Sequence, residues 1–232
     1  MEASRDAWIN AHRDYAWEVD LGHFRERREY PGFFCRVIRS QDAVSFEDAF
    51  RRAIDGDGTY QVAGEVCYWK NYGNHLSRDK ITHNLLKHLA EDRNWGLFCK
   101  GVIEVCANPD FDSFLRLQAA TGQPWGFATP LTFVSFYDPT SFPMVDKHIA
   151  DWWAVNKKRF SMATLPSFSQ REDGWIEAAP GIKTRLNWGA YMAWTRFCRD
   201  YAQRLGDWRA RDVEMAVWMA QKGRRYLPTL RD

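Results

Sequence analysis

The sequence predicts an all-α protein, a compact multi-helix array, and three features of the 232-residue chain predict it. Apolar side chains recur at helical intervals along most of the chain, and strand-like segments are almost missing. The connections between the periodic segments are only a few residues long, which makes successive helices antiparallel neighbours.

Taken in order, Ser45 followed by Phe46-Glu47-Asp48-Ala49-Phe50 is a capping signal that opens a helix, and Gly56 closes it. Residues 61–70 carry apolar side chains at helical intervals, and 78–90 continues the pattern with Ile81, Leu85, Leu86 and Leu89 on one face. Helices near 95–106 and, past the breaker Asn108-Pro109-Asp110, near 111–120 come next. Residues 161–187 differ: Pro166, Gly174, Pro180 and Gly181, with several Ser and Thr, read as a long loop rather than a linker between domains. Beyond it, 188–205 puts Trp188, Tyr191, Met192, Thr195, Cys198 and Tyr201 on one stripe, and 212–221 puts Val213, Ala216, Val217 and Ala220 on another. These C-terminal helices span 188–225, and residues 1–232 read as one all-helical domain. The stripes read as core, with base stacking by exposed members of the twelve tryptophans as the other reading.

A hydrophobic content of 45% and a charged content of 27% are ordinary globular values and exclude disorder, collagen and coiled coil. The longest apolar stretches fall far below the ~18 residues of a membrane helix, so no membrane partner is expected. The start, Met1 to Asp6, has no basic segment followed by an apolar one. It therefore carries no secretory signal, and a soluble cytoplasmic protein is the expectation. The five cysteines, Cys35, Cys67, Cys99, Cys106 and Cys198, are odd in number, lack a Cys-x-x-Cys pair and read as reduced core thiols. Cys99 and Cys106 match the first interval of an iron–sulfur loop, but its other cysteines do not follow.

The net charge of +2 conceals an asymmetry, with −5 over residues 1–146 and +7 over 147–232. The basic residues of the second part come in groups: Lys157-Lys158-Arg159, Lys183 with Arg185, and Lys222 with Arg224-Arg225. Such groups suit a polyanion, and equally a solvated helical surface.

The most specific stretch runs from Gly122-Gln123-Pro124-Trp125-Gly126-Phe127-Ala128-Thr129-Pro130 to Phe142-Pro143-Met144-Val145-Asp146-Lys147-His148. It reads as helix, glycine-punctuated turn, helix, short loop, and an acid just before a further helix over 147–155. A glycine-rich turn entering a helix presents backbone N–H groups that bind phosphate without a positive side chain. Asp146 on its own is a favoured N-cap.

In turn, gap and acid together, this stretch resembles the helix-hairpin-helix DNA glycosylase superfamily, as a remote member with an endonuclease III-like or 8-oxoguanine glycosylase-like fold. Trp125-Gly126 match the second half of that family's turn, Thr129 its threonine, Leu131 to Phe136 its apolar helix, and Pro143 with Val145-Asp146 the approach to its acid. Pro124 replaces the first turn glycine and Pro130 the usual alanine; Pro130 is tolerated in a first helical turn. The resemblance covers about residues 60–155, with the hairpin and acid region at about 113–155. It implies Asp146 as the catalytic acid and a nucleic-acid contact set of Gly122, Trp125, Gly126, Ala128, Thr129, Lys147 and His148. The strand-cutting members carry a lysine where this chain has Ala128, so a monofunctional enzyme is implied, because a Schiff base requires an amine.

Upstream, where the family has a wedge loop, this chain has Trp69-Lys70-Asn71-Tyr72-Gly73-Asn74-His75-Leu76-Ser77. The analogy offers Asn74 and His75 to fill the gap left by a flipped base, and Asn71, Tyr72 and Trp69 to line a base pocket. A helix C-cap on Gly73 with Asn74 is the plainer reading. No metal-ligand motif is present, His83 and His88 standing on one helix without a matching acid. No cofactor is implied beyond a monovalent cation on the hairpin carbonyls.

The sequence thus leads to a glycosylase that flips and excises a modified base from double-stranded DNA, acting as a monomer. Two alternatives stay open: a non-catalytic helix-hairpin-helix nucleic-acid-binding protein, and an N-glycosidase acting on a modified nucleoside or RNA.

Overall fold

The computed structural model describes residues 2–122, 126–174, 176–177 and 182–230. The helices are α1 (Glu2–Arg13), α2 (Ala43–Arg52), α3 (Gln61–Asn71), α4 (Arg78–Leu89) and α5 (Asp92–Ala107), then α6 (Phe111–Ala120), α7 (Ala128–Tyr137), α8 (Lys147–Asn156), α9 (Ile182–Leu205) and α10 (Ala210–Lys222). The one sheet among the described residues is a two-residue ribbon in which β1 (Val19–Asp20) pairs antiparallel with β2 (Val37–Ile38), Val19 opposite Ile38. The chain forms two compact units, a middle unit of Ala16–Asp138 and a terminal unit of Met1–Tyr15 with Pro139–Asp232.

The middle unit is built around α7. Its run Pro130 to Phe136 has no polar face and is buried all round, which fits a helix with neighbours on every side. Phe133 stacks on Phe50 and meets Phe98 edge-on, while Phe136 meets Phe46 and Trp69 edge-on. Helices α2, α3 and α5 supply those partners. The pair α3 and α4 is closer still: a Cβ on Gly64 would stand 2.4 Å from a Leu86 methyl, so no side chain fits there. Asp110 caps α6, its Oδ1 accepting the Ser113 N–H at 2.7 Å.

In the terminal unit α1, α8 and α9 all pack on α10. The core is aromatic, with Trp152, Trp153, Phe160, Trp194 and Phe197 in mutual ring contact and Trp8 of α1 joining through Phe160 and Tyr201. Arg211 and Glu214 form an ion pair inside it, both almost wholly buried. Asp212 is pushed up by burial, but hydrogen bonds from His12 and Arg209 overcome that and hold it well below the usual carboxylate range.

Several elements differ from the sequence expectations. Helix α1 was not expected; it packs on α10, and Trp8 and Ala11 are its buried periodic pair, Trp8 meeting the rings of Phe160 and Tyr201. Helix α9 begins at Ile182, inside the segment expected to be loop. Its early turns are held by buried Asn187, whose side-chain amide donates to the main-chain carbonyl of Glu177 at 2.8 Å. Cys35 is not a core thiol but exposed; Cys67 and Cys198 are buried and Cys99 and Cys106 half-buried. Burial pushes the Cys67 and Cys106 thiols up to about 12. Among the described residues no helix is long and apolar enough to cross a membrane.

Candidate functional site

In the terminal unit, Asp146 is the N-cap of α8, with extended backbone at φ −150° and ψ −174°. The chain leading to it is pinned by α9: Tyr191 Oη donates to the Pro143 carbonyl and Trp194 Nε1 to the Met144 carbonyl, each at 3.0 Å. The carboxylate is half-buried and held at both oxygens. Oδ1 accepts the Ile149 N–H at 3.0 Å, and Oδ2 accepts the indole N–H of Trp218 at 3.1 Å. His148 is half-buried with its ring edge-on to Trp218, and Lys147 is exposed.

The basic groups of this unit are partly engaged. Lys183 pairs with Glu177 at 3.0 Å, and Arg225 pairs with Asp14. Lys157 donates to the Leu165 carbonyl, while Arg159 donates to the Leu227 carbonyl with its guanidinium over the Tyr226 ring. Lys158 and Arg224 are exposed, and the Lys222 ammonium sits 4.2 Å above the Trp218 ring.

In the middle unit, α6 ends on Thr121 and Gly122 follows at φ +65°. A Cβ on Gly122 would also meet the His88 ring at 2.6 Å, so the turn is doubly restricted to glycine. Gln123, Pro124 and Trp125 lie outside the described residues, so the turn contact expected of Trp125 does too. On the far side, the Gly126 carbonyl accepts Gln118 Nε2 at 2.8 Å, and Ala128 and Thr129 stand half-buried in the first turn of α7. First-turn N–H groups have no partner within their own helix, and Pro130 has none to offer. The carbonyl of Gly126 is one oxygen a monovalent cation would share with Gln118; the reading below uses no cation.

The α3–α4 corner belongs to the same unit. Asn71 and Trp69 are both buried there. The Asn71 amide donates to the Cys67 carbonyl one turn back at 2.8 Å, and Trp69 packs edge-on to Trp17 and Phe136. Tyr72 is half-exposed, shares a 3.0 Å hydrogen bond with His23 Nδ1, and has the Arg78 guanidinium 4.6 Å over its ring. Asn74 starts a turn whose carbonyl accepts the N–H groups of Ser77 and Arg78. His75 is exposed, 3.2 Å from Arg78 through Nδ1.

Three residues escaped the sequence reading. Leu76 is 100% exposed at the tip of this corner. A lone apolar residue in a polar loop is its only sequence signal. Trp218 belongs with Glu214 and Lys222 to a polar stripe at helical spacing, masked by the apolar pattern of α10. Glu65 is 1% exposed and accepts the Phe34 N–H at 2.9 Å, with Arg36 Nη2 at 3.6 Å from its other oxygen. Burial pushes it up to about 7 against the lowering effects of Phe34 and Arg36.

No group of three or more His, Cys, Asp or Glu among the described residues is placed to hold a metal ion. Comparison with family models, with curated proteins and with solved structures found no match to this chain.

Proposed function

We propose that the protein is a monofunctional N-glycosylase acting on a modified base in double-stranded DNA, with Asp146 as its catalytic carboxylate. One observation carries the proposal. Asp146 follows two pinned carbonyls, accepts the Ile149 N–H on one oxygen and the Trp218 indole N–H on the other, and is half-buried. Stabilising a sugar cation demands such a carboxylate, held in place by its neighbours. In the proposed reaction the N-glycosidic bond breaks with its electron pair leaving on the base, and the sugar passes through an oxocarbenium-like state facing Asp146. Water adds at the sugar carbon and its proton passes to the departed base, which completes hydrolysis. Within the middle unit, taken by itself, the first-turn N–H groups of α7 are the proposed phosphate contact, and Leu76 joins Asn74 and His75 as the proposed wedge.

The test is base release from duplexes carrying single uracil, hypoxanthine or 7-methylguanine residues. Asp146→Asn should abolish release and leave DNA affinity and fold nearly intact, because Asn caps a helix about as well as Asp. Release unchanged in that variant would end the proposal.

One observation favours the alternative of a non-catalytic nucleic-acid-binding protein: Asp146 has a structural task as the cap of α8. That reading expects tight duplex binding, no release from any of the three substrates, and a stability loss in Asp146→Ala that Asn rescues.

A further inference from the structure

We infer that Trp218 is a positioning residue for Asp146, with Lys222 strengthening its grip; the inference rests on the glycosylase reading and deepens it. The indole N–H meets Asp146 Oδ2 at 3.1 Å across 72 residues of sequence. Four other indoles of this protein hand their N–H to main-chain carbonyls: Trp8 to Pro228, Trp17 to Trp69, Trp153 to Pro166 and Trp194 to Met144. A tryptophan that only packs needs no more than such a neutral acceptor. Trp218 gives its N–H to a carboxylate instead, a charge-assisted bond of the stronger class.

The ring is held from several sides. Tyr15, just past α1, meets it edge-on at 5.6 Å, His148 of α8 edge-on at 6.2 Å, and the Lys222 ammonium lies 4.2 Å from its centroid. With 8% of the residue exposed, the ring offers no face on which a base could stack. Its available function is therefore through the N–H. The cation over the ring draws π density away from the indole and makes that N–H a better donor. Lys222 thus acts on the Asp146 hydrogen bond from behind the ring. The other charged groups near this arrangement are Lys147 and His148 on α8 and the Arg211–Glu214 pair on α10.

Oδ1 stays on the Ile149 N–H, and the indole N–H restrains Oδ2 against rotation about the Cα–Cβ and Cβ–Cγ bonds. The charge therefore points in one direction before substrate arrives.

The experiment replaces Trp218 by phenylalanine and, separately, by the isosteric benzothienylalanine, which keeps the ring area and lacks the N–H. Single-turnover base release is read on the three duplexes, alongside the Trp218 Nε1–H resonance in the wild type and in Asp146→Asn. The inference expects a 10- to 100-fold lower rate in both variants with duplex affinity changed less than about twofold. It also expects the indole resonance to move upfield in Asp146→Asn, and Lys222→Met to lower the rate by a smaller factor. A benzothienylalanine variant as fast as the wild type would overturn the inference, as would an indole resonance indifferent to Asp146→Asn. Should the wild type release no base, the glycosylase reading falls and takes the positioning role with it. The resonance shift in Asp146→Asn then still shows the bond itself intact, which separates that failure from the other.

Discussion

Glu65 and Phe34 are joined by a 2.9 Å hydrogen bond from the Phe34 N–H to a carboxylate that is itself only 1% exposed. Phe34 itself is 66% exposed, so a surface segment is tied to α3 through a buried acid. Burial pushes Glu65 from 4.5 up to about 7, so the folded state holds this proton over a range where the unfolded chain has released it. Its effect on stability therefore falls as pH rises from about 4.5 to about 7, by up to about 3 kcal/mol at 1.36 kcal/mol per pKa unit. Glu65→Gln keeps the acceptor and removes the charge. Denaturant melts should show the variant more stable than the wild type at pH 8 and the difference shrinking toward pH 5; a difference independent of pH would refute the assignment.

With Ala128 where the strand-cutting enzymes of the resembled family carry lysine, borohydride should trap no covalent adduct of the protein on a base-modified duplex. A strong adduct on denaturing gels would contradict the monofunctional reading and direct attention to Lys147 or Lys100.

Duplex affinity should fall with salt at about 0.9 log units per neutralised phosphate, so three to five contacts give a slope of roughly −3 to −4.5. The partners of the basic groups rank them. Lys158, which is exposed, should flatten the slope by about one unit when changed to Ala, while Lys183, already paired with Glu177, should change it less. A wild-type slope near zero would count against nucleic acid as the partner.

Gly122→Ala combines a left-handed backbone at φ +65° with a Cβ 2.6 Å from the His88 ring. The backbone part alone costs about 1–2 kcal/mol. Denaturation should register at least that loss, and a neutral variant would mean that the turn adopts another conformation.

Most helices of the middle unit were legible because each carries its signal within one turn: the Leu85, Leu86, Leu89 face of α4, and the breaker before α6 whose Asp110 proves to be its cap. The place of Asp146 before α8 was legible for the same reason. What was not legible depends on distant partners. The indole of Trp218 reaches Asp146 from another helix, and nothing in the local spacing of either residue announces the pairing. Asn71 looked like a polar residue at a helix end and is bonded back into its own helix. Trp8 is buried against Phe160 and Tyr201, some 150 to 190 residues later, and no local pattern announces those partners.

That last separation bears on how the protein is made. The middle unit has all its residues once position 138 is synthesised, whereas α1 packs on α10, which ends at Lys222. Chains fold as they emerge, at roughly 5–20 residues per second, so the middle unit can close while α1 has nothing to dock on. Trp8, fully buried in the finished protein, spends that interval in solvent or in the hands of a chaperone. The loop that must then close is about two hundred residues long, but closure entropy grows only with the logarithm of length, and a folded insert holds the two ends less far apart than open chain would. Docking of α1 therefore waits for α10, and the Asp146–Trp218 bond, whose tryptophan lies on α10, can form only after that helix has been synthesised.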